Sequence, residues 1–496
     1  MPGIALNEDN SHFFFTRTGQ TLDGEAVAAW VDQYAGTQVH ELLLSPNAMR
    51  TSFDSAVWDP IWAGYDPEGP DDQPLLASTP PEGRAGARAW VHTAWDLARR
   101  GIDVYAVWIE RARQRGLSPW LSMRMNDLHG VDDEACFMHS AFWRQHPEHR
   151  RVPYRFTAWQ DRALDYGKPE VRRHHMALIE ELAQRYDCDG VELDWMRFGY
   201  HFRPGHEEEG AALLTQFTAE ARRCLDGWEQ RRGHRIRLGA RVPSRPQTAL
   251  GLGMDAVTWA RQGLVDWLVV TPFWASVETD MPIEVWRGLL EGTGVTLCAG
   301  LEVLLRPCPS YPAHPLNSLE TVRGAAAAML QRGADRVYLF NYMDGQTAMA
   351  NVERDYGALL RQVGSLETLA GKPRRHVLTF ADTWAPGEPQ AHALPAAVGQ
   401  GRWHAFRLAT GPAPAGPVTV VLGVQEGPEL QAGILEVRLN GEVCGFLGAA
   451  ALEEPKPTFA TWAFRAPDGA LRGGTAVVEV LAHQAVTLGW VEIDAA

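Results

Sequence analysis

The sequence feature that most constrains the fold is a regular alternation of short apolar runs with longer amphipathic segments, from about residue 12 to residue 362. Strands that alternate with helices in this way are typical of parallel sheets, and eight of them predict a closed (β/α)8 TIM barrel. The predicted strands are HFFFTR (12–17), VHELLLSPN (39–47), SPWLSMRMN (118–126), GVELDW (190–195), IRLGARVP (236–243), DWLVVTPFW (266–274), VTLCAGLEV (295–303) and RVYLFNYMD (336–344). A doubly wound sheet is the alternative, but the first run lacks the glycine-rich turn that usually accompanies that fold.

The pattern changes in the last quarter of the chain. Short alternating segments such as VTVVLGV, LEVRLNG and AVVEVLA are separated there by proline and glycine turns, which is typical of a β-sandwich. We therefore predict two domains, a catalytic barrel over residues 1–365 and a small all-β domain over residues 374–496. The length of 496 residues suits this division, because a barrel of this class takes roughly 250 to 400 residues.

Composition narrows the range of partners. The formal net charge of -15 repels nucleic-acid backbones, so we expect no nucleic-acid partner. We expect no membrane partner, because no apolar run reaches the length of about 18 residues that a span needs. The start MPGIALNEDNSHFFF lacks a basic and apolar leader, which predicts a cytoplasmic protein. The six cysteines form no CxxC pair and indicate neither a zinc site nor a dense disulfide framework. We expect no cofactor and no metal, and the oligomeric state stays open.

Alternation along the strands identifies candidate catalytic groups. Catalytic residues of such barrels cluster at the C-terminal strand ends, and side chains alternate between the interior and the helices. In GVELDW, Val191 and Leu193 should contact the helices, so Glu192 and Asp194 point into the mouth of the barrel. The same alternation in VTLCAGLEV points Glu302 inward at the end of strand seven. These three acidic residues are the predicted catalytic groups, and we expect strands four and seven to face each other across the mouth.

Polar and aromatic side chains near the strand ends are predicted to bind the substrate. They are Asn47, Arg50, Trp58, Arg124, Asn126, Asp127, His129, Trp195, Arg197, Arg241, Trp274, Tyr342 and Asp344. Carboxyl groups with aromatic walls are what the cleavage of a glycosidic bond requires. One carboxylic acid protonates the leaving oxygen, and another carboxylate attacks the anomeric carbon or activates water. Crowding pushes the pKa values of such groups apart, which separates acid from base. The alternative is that the carboxylates are structural and paired with arginines.

Two further hypotheses concern the substrate. The four arginines of this set follow or end strands two to five, and one or more of them binds an anionic group such as a uronate or a sulfate. The rival hypothesis is that they only neutralise Glu192 and Asp194. The long loop over residues 51–86 is expected to place Trp58 and Trp62 in the cleft wall with Trp274, because sugar rings pack on aromatic planes.

The segment LDYGKPEVRRHHMALIEELAQRYDCDGVELDWMRF carries a strand-four DG(I/V)xLD(W/F)xR motif after a helix that begins at PEVR. In this it resembles bacterial family 10-like glycosyl hydrolases. GIDVYAVWIERARQRGLSPWLSMRMNDLHG is similar to the preceding helix and strand of the same proteins. Together the two segments cover about residues 100–200. The resemblance implies a hydrolytic barrel with Asp194 at the active centre, and it does not indicate the sugar.

The leading hypothesis is a glycosidase that acts on an oligosaccharide or polysaccharide. A non-hydrolytic carbohydrate-binding protein on the same scaffold is the second hypothesis, and it predicts carboxylates locked in salt bridges. A polysaccharide lyase or a metal-dependent barrel enzyme is the third, and it requires a divalent site for which the strand ends offer no convincing ligand set. His174 and His175 lie in the middle of a predicted helix beside two arginines, and we expect them on a solvated face rather than around a metal.

Overall fold

The computed structural model of the chain describes residues 3–426, 431, 433–452 and 460–496. Eight parallel strands close into a barrel in chain order. They are β1 (Ile4–Glu8), β2 (Val39–Leu44), β3 (Ser118–Arg124), β4 (Gly190–Asp194), β5 (Arg237–Pro243), β6 (Trp267–Thr271), β7 (Thr296–Leu301) and β8 (Arg336–Phe340). The predicted TIM barrel is confirmed, and seven of its strands lie within the predicted segments.

The predicted first strand is wrong. HFFFTR forms a short helix, α1 (His12–Thr16), and the first strand of the barrel is the preceding IALNE. All five residues of IALNE are buried, because a parallel strand of a barrel is covered on both faces. In α1, Phe13 and Phe14 are both buried whereas Phe15 is 39% exposed, so the run does not alternate as a strand with one buried face would.

Helices cover the outside of the barrel. The described α-helices after α1 are α2 (Gly24–Ala29), α3 (Pro81–Arg99), α4 (Val104–Gln114), α5 (Ala141–Gln145), α6 (Pro169–Arg185), α7 (Glu207–Arg232), α8 (Pro246–Gly251), α9 (Ala256–Arg261), α10 (Ile283–Leu289), α11 (Leu319–Gln331), α12 (Val352–Gln362) and α13 (Leu366–Leu369). Short 3-10 helices lie at Trp30–Tyr34, Pro147–His149 and Trp159–Arg162. Among the described residues, no helix combines the length and the apolar character needed to cross a membrane.

A cluster of buried side chains fills the barrel interior. They are Ala5, Leu43, Trp120, Trp267, Val269, Cys298, Tyr338 and Phe340. Gly190 makes room for the indole of Trp120, because a Cβ atom at this glycine would lie 2.4 Å from Trp120 Cε3. Phe340, the last residue of β8, extends the cluster to the strand ends, where the guanidinium group of Arg241 lies 3.8 Å from its ring centroid.

Two antiparallel sheets follow the barrel. One has the order β10-β18-β12-β16-β15 with β9 paired to β18, and the other has the order β11-β17-β13-β14. Their strands are β9 (Arg374–Val377), β10 (Ala396–Val398), β11 (Trp403–Pro412), β12 (Val418–Glu426), β13 (Leu435–Leu439), β14 (Glu442–Val443), β15 (Gly445–Ala449), β16 (Ala460–Arg465), β17 (Gly473–Ala482) and β18 (Val486–Ala495). The all-β character of this region is confirmed. The boundaries of the two domains stay a prediction, and residues 427–430, 432 and 453–459 of the predicted second domain lie outside the described residues.

The sheets pack directly on helix α11 of the barrel. A Cβ atom at Gly324 of α11 would lie 2.0 Å from the carbonyl oxygen of Arg375 in β9. In β11, a Cβ atom at Gly411 would lie 2.5 Å from the Cβ atom of Ala327. Glycine at these two positions therefore allows close approach between the barrel and the sheets.

Candidate active site

Asp194, Arg241 and Glu302 form a buried network at the ends of β4, β5 and β7. Nη1 of Arg241 donates a hydrogen bond to Asp194 Oδ2 at 2.8 Å, and Nη2 lies 3.5 Å from Glu302 Oε1. Strands β4 and β7 are separated by β5 and β6, so they do not face each other directly across the mouth as expected. The guanidinium group of Arg241, which comes from β5, lies between the two acidic side chains and brings them together.

The two acidic groups of this network have different surroundings. Asp194 Oδ1 accepts backbone N–H groups of Met196 at 3.1 Å and Arg197 at 2.9 Å, in addition to the ion pair of Oδ2 with Arg241. For Glu302, burial raises the pKa well above its ordinary value, although the charges of Arg241 and Arg197 oppose the shift. The arrangement therefore places an aspartate that is paired with Arg241 next to a buried glutamate whose pKa is raised.

Glu192 lies deeper in the barrel than Asp194. Its Oε1 atom accepts hydrogen bonds from the Ser122 hydroxyl at 2.7 Å and the Tyr338 hydroxyl at 2.8 Å. Burial, followed by the charge of Asp194, raises the pKa of Glu192 to about 7. Because hydroxyl groups from β3 and β8 donate hydrogen bonds to it inside the barrel, Glu192 lies below the mouth and does not form part of the mouth's surface.

A chain of charged groups links the interior to the rim. Arg124 forms ion pairs with Asp9 and with Asp127, the latter at 3.1 Å. Asp127 Oδ1 lies 2.9 Å from His129 Nδ1, and His129 Nε2 lies 2.8 Å from Arg197 Nη2. Because the guanidinium can only donate, His129 Nε2 is the acceptor and Nδ1 carries the hydrogen that reaches Asp127. These contacts commit Arg124 to carboxylates and fix the orientation of the His129 ring.

The ends of β1 and β8 carry buried polar atoms that have no hydrogen-bond partner among the described residues. They are both amide atoms of Asn7, Oε2 of Glu8, Nδ2 of Asn10 and Oδ1 of Asn341. Asn341 also has a positive φ of 59°, which is uncommon for a residue other than glycine. A buried polar group without a partner is costly, so these atoms indicate a place where a polar ligand or ordered water binds.

Asp344, a predicted substrate-binding residue, lies next to this group. It accepts hydrogen bonds from Arg17 Nη2 at 2.5 Å and from Gln33 Nε2 at 3.2 Å. Its Oδ1 atom lies 3.5 Å from His12 Nε2, and His12 Nδ1 lies 2.7 Å from Glu8 Oε1. Asp344 thus belongs to a paired cluster at the ends of β1 and β8, away from Asp194.

Aromatic side chains form one rim of the mouth. The rings of Trp159 and Phe273 stack with centroids 5.7 Å apart, and Phe198 contacts both. Trp274, which was predicted for the cleft wall, is 46% exposed next to Phe273. Both carboxylate oxygens of Asp382 accept backbone N–H groups of residues 273–275, so a segment beyond β9 fixes this rim. The exposed faces of these rings offer a platform for a sugar ring.

Three predicted substrate-binding residues contact backbone groups instead of the mouth. Asn47 donates to the carbonyl groups of Ala48 and Arg124 and accepts from the Arg124 N–H. Asn126 joins the end of β3 to the carbonyl groups of residues 164 and 200. Arg50 donates to the carbonyl group of His139 and to that of residue 63. These contacts hold loops in place, so the structure does not bring the three side chains to the carboxylates.

Three predicted aromatic residues are buried outside the mouth. Trp195 packs against side chains of the helical layer such as Phe217 of α7. The hydroxyl of Tyr342 donates to the backbone carbonyl of Glu302 at 2.9 Å and so positions that residue. Trp58 stacks on His174 of α6, with ring centroids 4.4 Å apart and an angle of 7°. The expectation of a solvated face for the two histidines of α6 is wrong, because His174 is half-buried in this stack and His175 is fully buried.

The sequence prediction missed several side chains of the mouth. Asn7 and Asp9 were overlooked because IALNE was not assigned as a strand. Trp159 and Asp382 lie in loops that no strand pattern marks. Glu278 follows β6 and is buried beside Arg245 at 2.8 Å, and burial raises its pKa to about 7. Of these residues, only Asn7 and Asp9 could have been found from the sequence, because they follow a short apolar run and lie beside acidic residues.

One sequence family matches the chain. Residues 85–239 match the model of the family described as Glycosyl hydrolase-like 10. This match confirms the resemblance inferred from about residues 100–200, and it includes Asp194 and the strand-four motif. None of the curated protein sequences matches the chain.

Several solved structures that are similar to the chain at low sequence identity are named as glycoside hydrolases or their domains. The α-L-fucosidase isoenzyme 2 from Paenibacillus thiaminolyticus is 12% identical with a TM-score of 0.42, over 72% of this chain and 50% of the fucosidase. The chain therefore spans about half the length of that enzyme. The glycoside hydrolase domain of PgaB (BpsB) from Bordetella bronchiseptica is 13% identical with a TM-score of 0.41, over 74% of this chain and 99% of that domain. A family GH18 chitinase from Chromobacterium violaceum is 10% identical with a TM-score of 0.35, over 98% of this chain and 90% of the chitinase. Likenesses of this size do not bear on activity.

Proposed function

We propose that this chain, whose residues 85–239 match the glycosyl hydrolase-like 10 family, is a glycosidase that cleaves a glycosidic bond at the mouth of its barrel. The observation that carries the proposal is the network of Asp194, Arg241 and Glu302. It holds two acidic side chains with different surroundings around one buried guanidinium: Asp194 is paired with Arg241 at 2.8 Å, and burial raises the pKa of Glu302. Glycoside cleavage uses one carboxyl group as an acid and a second as a carboxylate.

In this proposal Glu302 is the acid that protonates the leaving oxygen. Asp194 is the carboxylate that attacks the anomeric carbon or activates water. Arg241 holds Asp194 in place, and Glu192 is a buried acidic residue below Asp194. Because Asp194 and Glu302 are closed to solvent, the proposal requires the Arg197 side chain or the aromatic rim to move aside when the sugar enters.

We further propose that the substrate is a neutral glycan. Of the four predicted anion-binding arginines, Arg124 and Arg241 are each paired with two carboxylates, and Arg50 donates to backbone carbonyl groups. Only Arg241 neutralises Asp194, as the rival hypothesis requires, and Arg124 and Arg50 are engaged by other groups of the protein. The fourth, Arg197, donates to His129 Nε2 and forms no ion pair with a carboxylate among the described residues. The unpaired amide atoms of Asn7 suit neutral hydroxyl groups, to which an amide both donates and accepts.

A substrate panel tests this proposal. Wild-type protein and the Asp194→Asn variant are incubated with matched neutral and uronate-containing oligosaccharides, and released reducing ends are measured. We expect release from a neutral member, with the variant at least about 10²-fold slower, the lower end for a lost acid or base. Release from uronates alone contradicts the neutral substrate, and equal release by the variant contradicts the site.

A second function is favoured by one specific observation. Asp194 and Glu302 are both buried and both contact Arg241, which is the locked arrangement expected of a carbohydrate-binding protein without turnover. Isothermal titration of the wild type with members of the same panel, followed by analysis of the sugar, distinguishes the two functions. Recovery of intact sugar after saturable binding supports the binding protein, and cleaved sugar supports the glycosidase.

A further inference from the structure

A short turn between α5 and α6 brings two histidines and a glutamate together, away from the strand ends of the barrel. Helix α5 ends at Gln145, and the 3-10 helix Pro147–His149 follows. Residues three apart in a 3-10 helix lie above one another, so His146 and His149 project from the same side. Their rings are 4.9 Å apart with an angle of 24° between the planes.

Three potential ligand atoms converge at this turn. His146 Nδ1 lies 2.9 Å from Glu148 Oε1, and His149 Nε2 lies 3.9 Å from the same oxygen. One ligand atom of each residue lies within 4.8 Å of the other two. Bonds of about 2.0 to 2.2 Å to nitrogen and oxygen place the ligand atoms of a tetrahedral zinc ion roughly 3.3 to 3.5 Å apart. The observed spacing brackets that value, so small side-chain rotations suffice to close the site.

The surroundings hold the rings in place and leave the carboxylate available. The ring of Phe142 packs against both histidine rings, with centroids 5.4 Å from His146 and 5.3 Å from His149. Among the described residues, Glu148 forms ion pairs with these two histidines and with no lysine or arginine. The side chains of Glu148 and His146 are 60% and 43% exposed, so an ion reaches the site directly from solvent.

We propose that His146, Glu148 and His149 bind a divalent transition-metal ion of the Zn²⁺ type, with solvent completing the coordination. Two imidazole rings and one carboxylate form a donor set that zinc accepts, and soft ligands are not needed. Phe142 also stacks on His174, with ring centroids 3.9 Å apart, and His174 stacks on Trp58 of the long loop after β2. An ion that binds the folded arrangement of the three ligands stabilises the folded chain.

Titration of the full chain with zinc tests the site. The protein is prepared without a histidine tag, is stripped with a chelator, and is titrated with ZnCl₂ by calorimetry, with thermal unfolding measured in parallel. The variants are His146→Ala and Glu148→Gln. The matched control is His206→Ala, because His206 also pairs with a glutamate three residues later, at 3.1 Å, but has no third ligand within the part of the chain that the structure describes.

We expect one zinc ion per wild-type chain and a higher unfolding temperature with zinc. Both site variants should bind at least tenfold more weakly, whereas His206→Ala should bind like the wild type. Absence of zinc binding by the wild type, or equal binding by a folded His146→Ala or Glu148→Gln variant, overturns the proposal. The titration needs no substrate, so its failure is independent of the proposed glycosidase activity.

Discussion

On one side of the barrel mouth, at the ends of β4, β5 and β7, the charged groups are bound to one another. Asp194 accepts three hydrogen bonds, and Arg241 contacts two carboxyl groups. On the other side, at the ends of β1 and β8, Asn7 and Asn341 have buried amide atoms without partners among the described residues. Asn7 is as fully buried as Asp194 and Arg241, so burial alone does not explain the difference.

We infer from this difference that the two sides of the mouth have different roles, one in the reaction and one in recognition of the substrate. A preorganised charged network costs no rearrangement when charge develops, which is what a reacting centre needs. Unpaired polar atoms are satisfied only when a ligand or water arrives, which is what a recognition surface needs. We therefore place the chemistry on the Asp194 side and the recognition of sugar hydroxyl groups on the Asn7 side.

We expect the largest loss of unfolding free energy when the network of Asp194, Arg241 and Glu302 loses its arginine. Arg241→Leu leaves Asp194 buried without its cation, and the loss of one partner from a buried pair costs about 3–5 kcal/mol. Denaturant unfolding measures the change. The control is Arg115→Leu, which removes a surface pair with Asp32 and should cost less than about 1 kcal/mol. Equal costs for the two variants would show that the buried network is not held as described.

The pH dependence of the unfolding free energy tests the environment of Glu192, which lies below Asp194. The pKa of Glu192 is raised to about 7 in the folded chain, so this group stabilises the fold fully below about pH 4.5. That contribution is lost as the pH rises through 7, by up to roughly 3 kcal/mol at about 1.4 kcal/mol per pKa unit. The unfolding free energy of the wild type should therefore fall between pH 5 and 8 relative to Glu192→Gln, and a relative rise would contradict the assignment.

We expect the smallest changes in unfolding free energy from the substitution of two buried asparagines, Asn47 and Asn7. Asn47→Ala removes three hydrogen bonds to backbone groups and should cost about 1–3 kcal/mol of unfolding free energy. Asn7→Ala removes an amide without partners, so its unfolding free energy should change by less than about 1 kcal/mol. Asn7→Ala should instead weaken sugar binding roughly 2- to 10-fold, as for one lost hydrogen bond. A stability loss as large as that of Asn47→Ala would remove the basis for a recognition surface.

The alternation of side chains was the strongest signal in the sequence. A strand of the barrel has an exact period of two, so the apolar faces of β4 and β7 were sufficient to point Glu192, Asp194 and Glu302 inward. The network partner Arg241 followed from the same rule on β5. By contrast, a run of three apolar residues does not distinguish a strand from a helix, and HFFFTR was mistaken for the first strand.

The remaining site residues depend on contacts between distant segments. Trp58 was expected in the cleft, but its position is set by His174 of α6 and by Phe142 of α5, which no local pattern reveals. Asp382 follows β9 in the sequence and still binds the loop after β6. Loop direction is decided by such long-range contacts, so it could not be predicted from strand periodicity.

We propose that Asp194 and Glu302 have different roles in one cleavage reaction. The most direct test measures the rates of Asp194→Asn and Glu302→Gln on two substrates of the same sugar. One substrate is an oligosaccharide, and the other is an aryl glycoside with a strongly acidic leaving group. An acidic leaving group needs no protonation, so Glu302→Gln should be slow on the oligosaccharide and close to wild type on the aryl glycoside. Asp194→Asn should be at least about 10²-fold slower on both. Near-normal turnover by Asp194→Asn would show that Asp194 is not the reacting carboxylate. An equal loss of rate on both substrates for Glu302→Gln would show that Glu302 is not the acid that protonates the leaving oxygen.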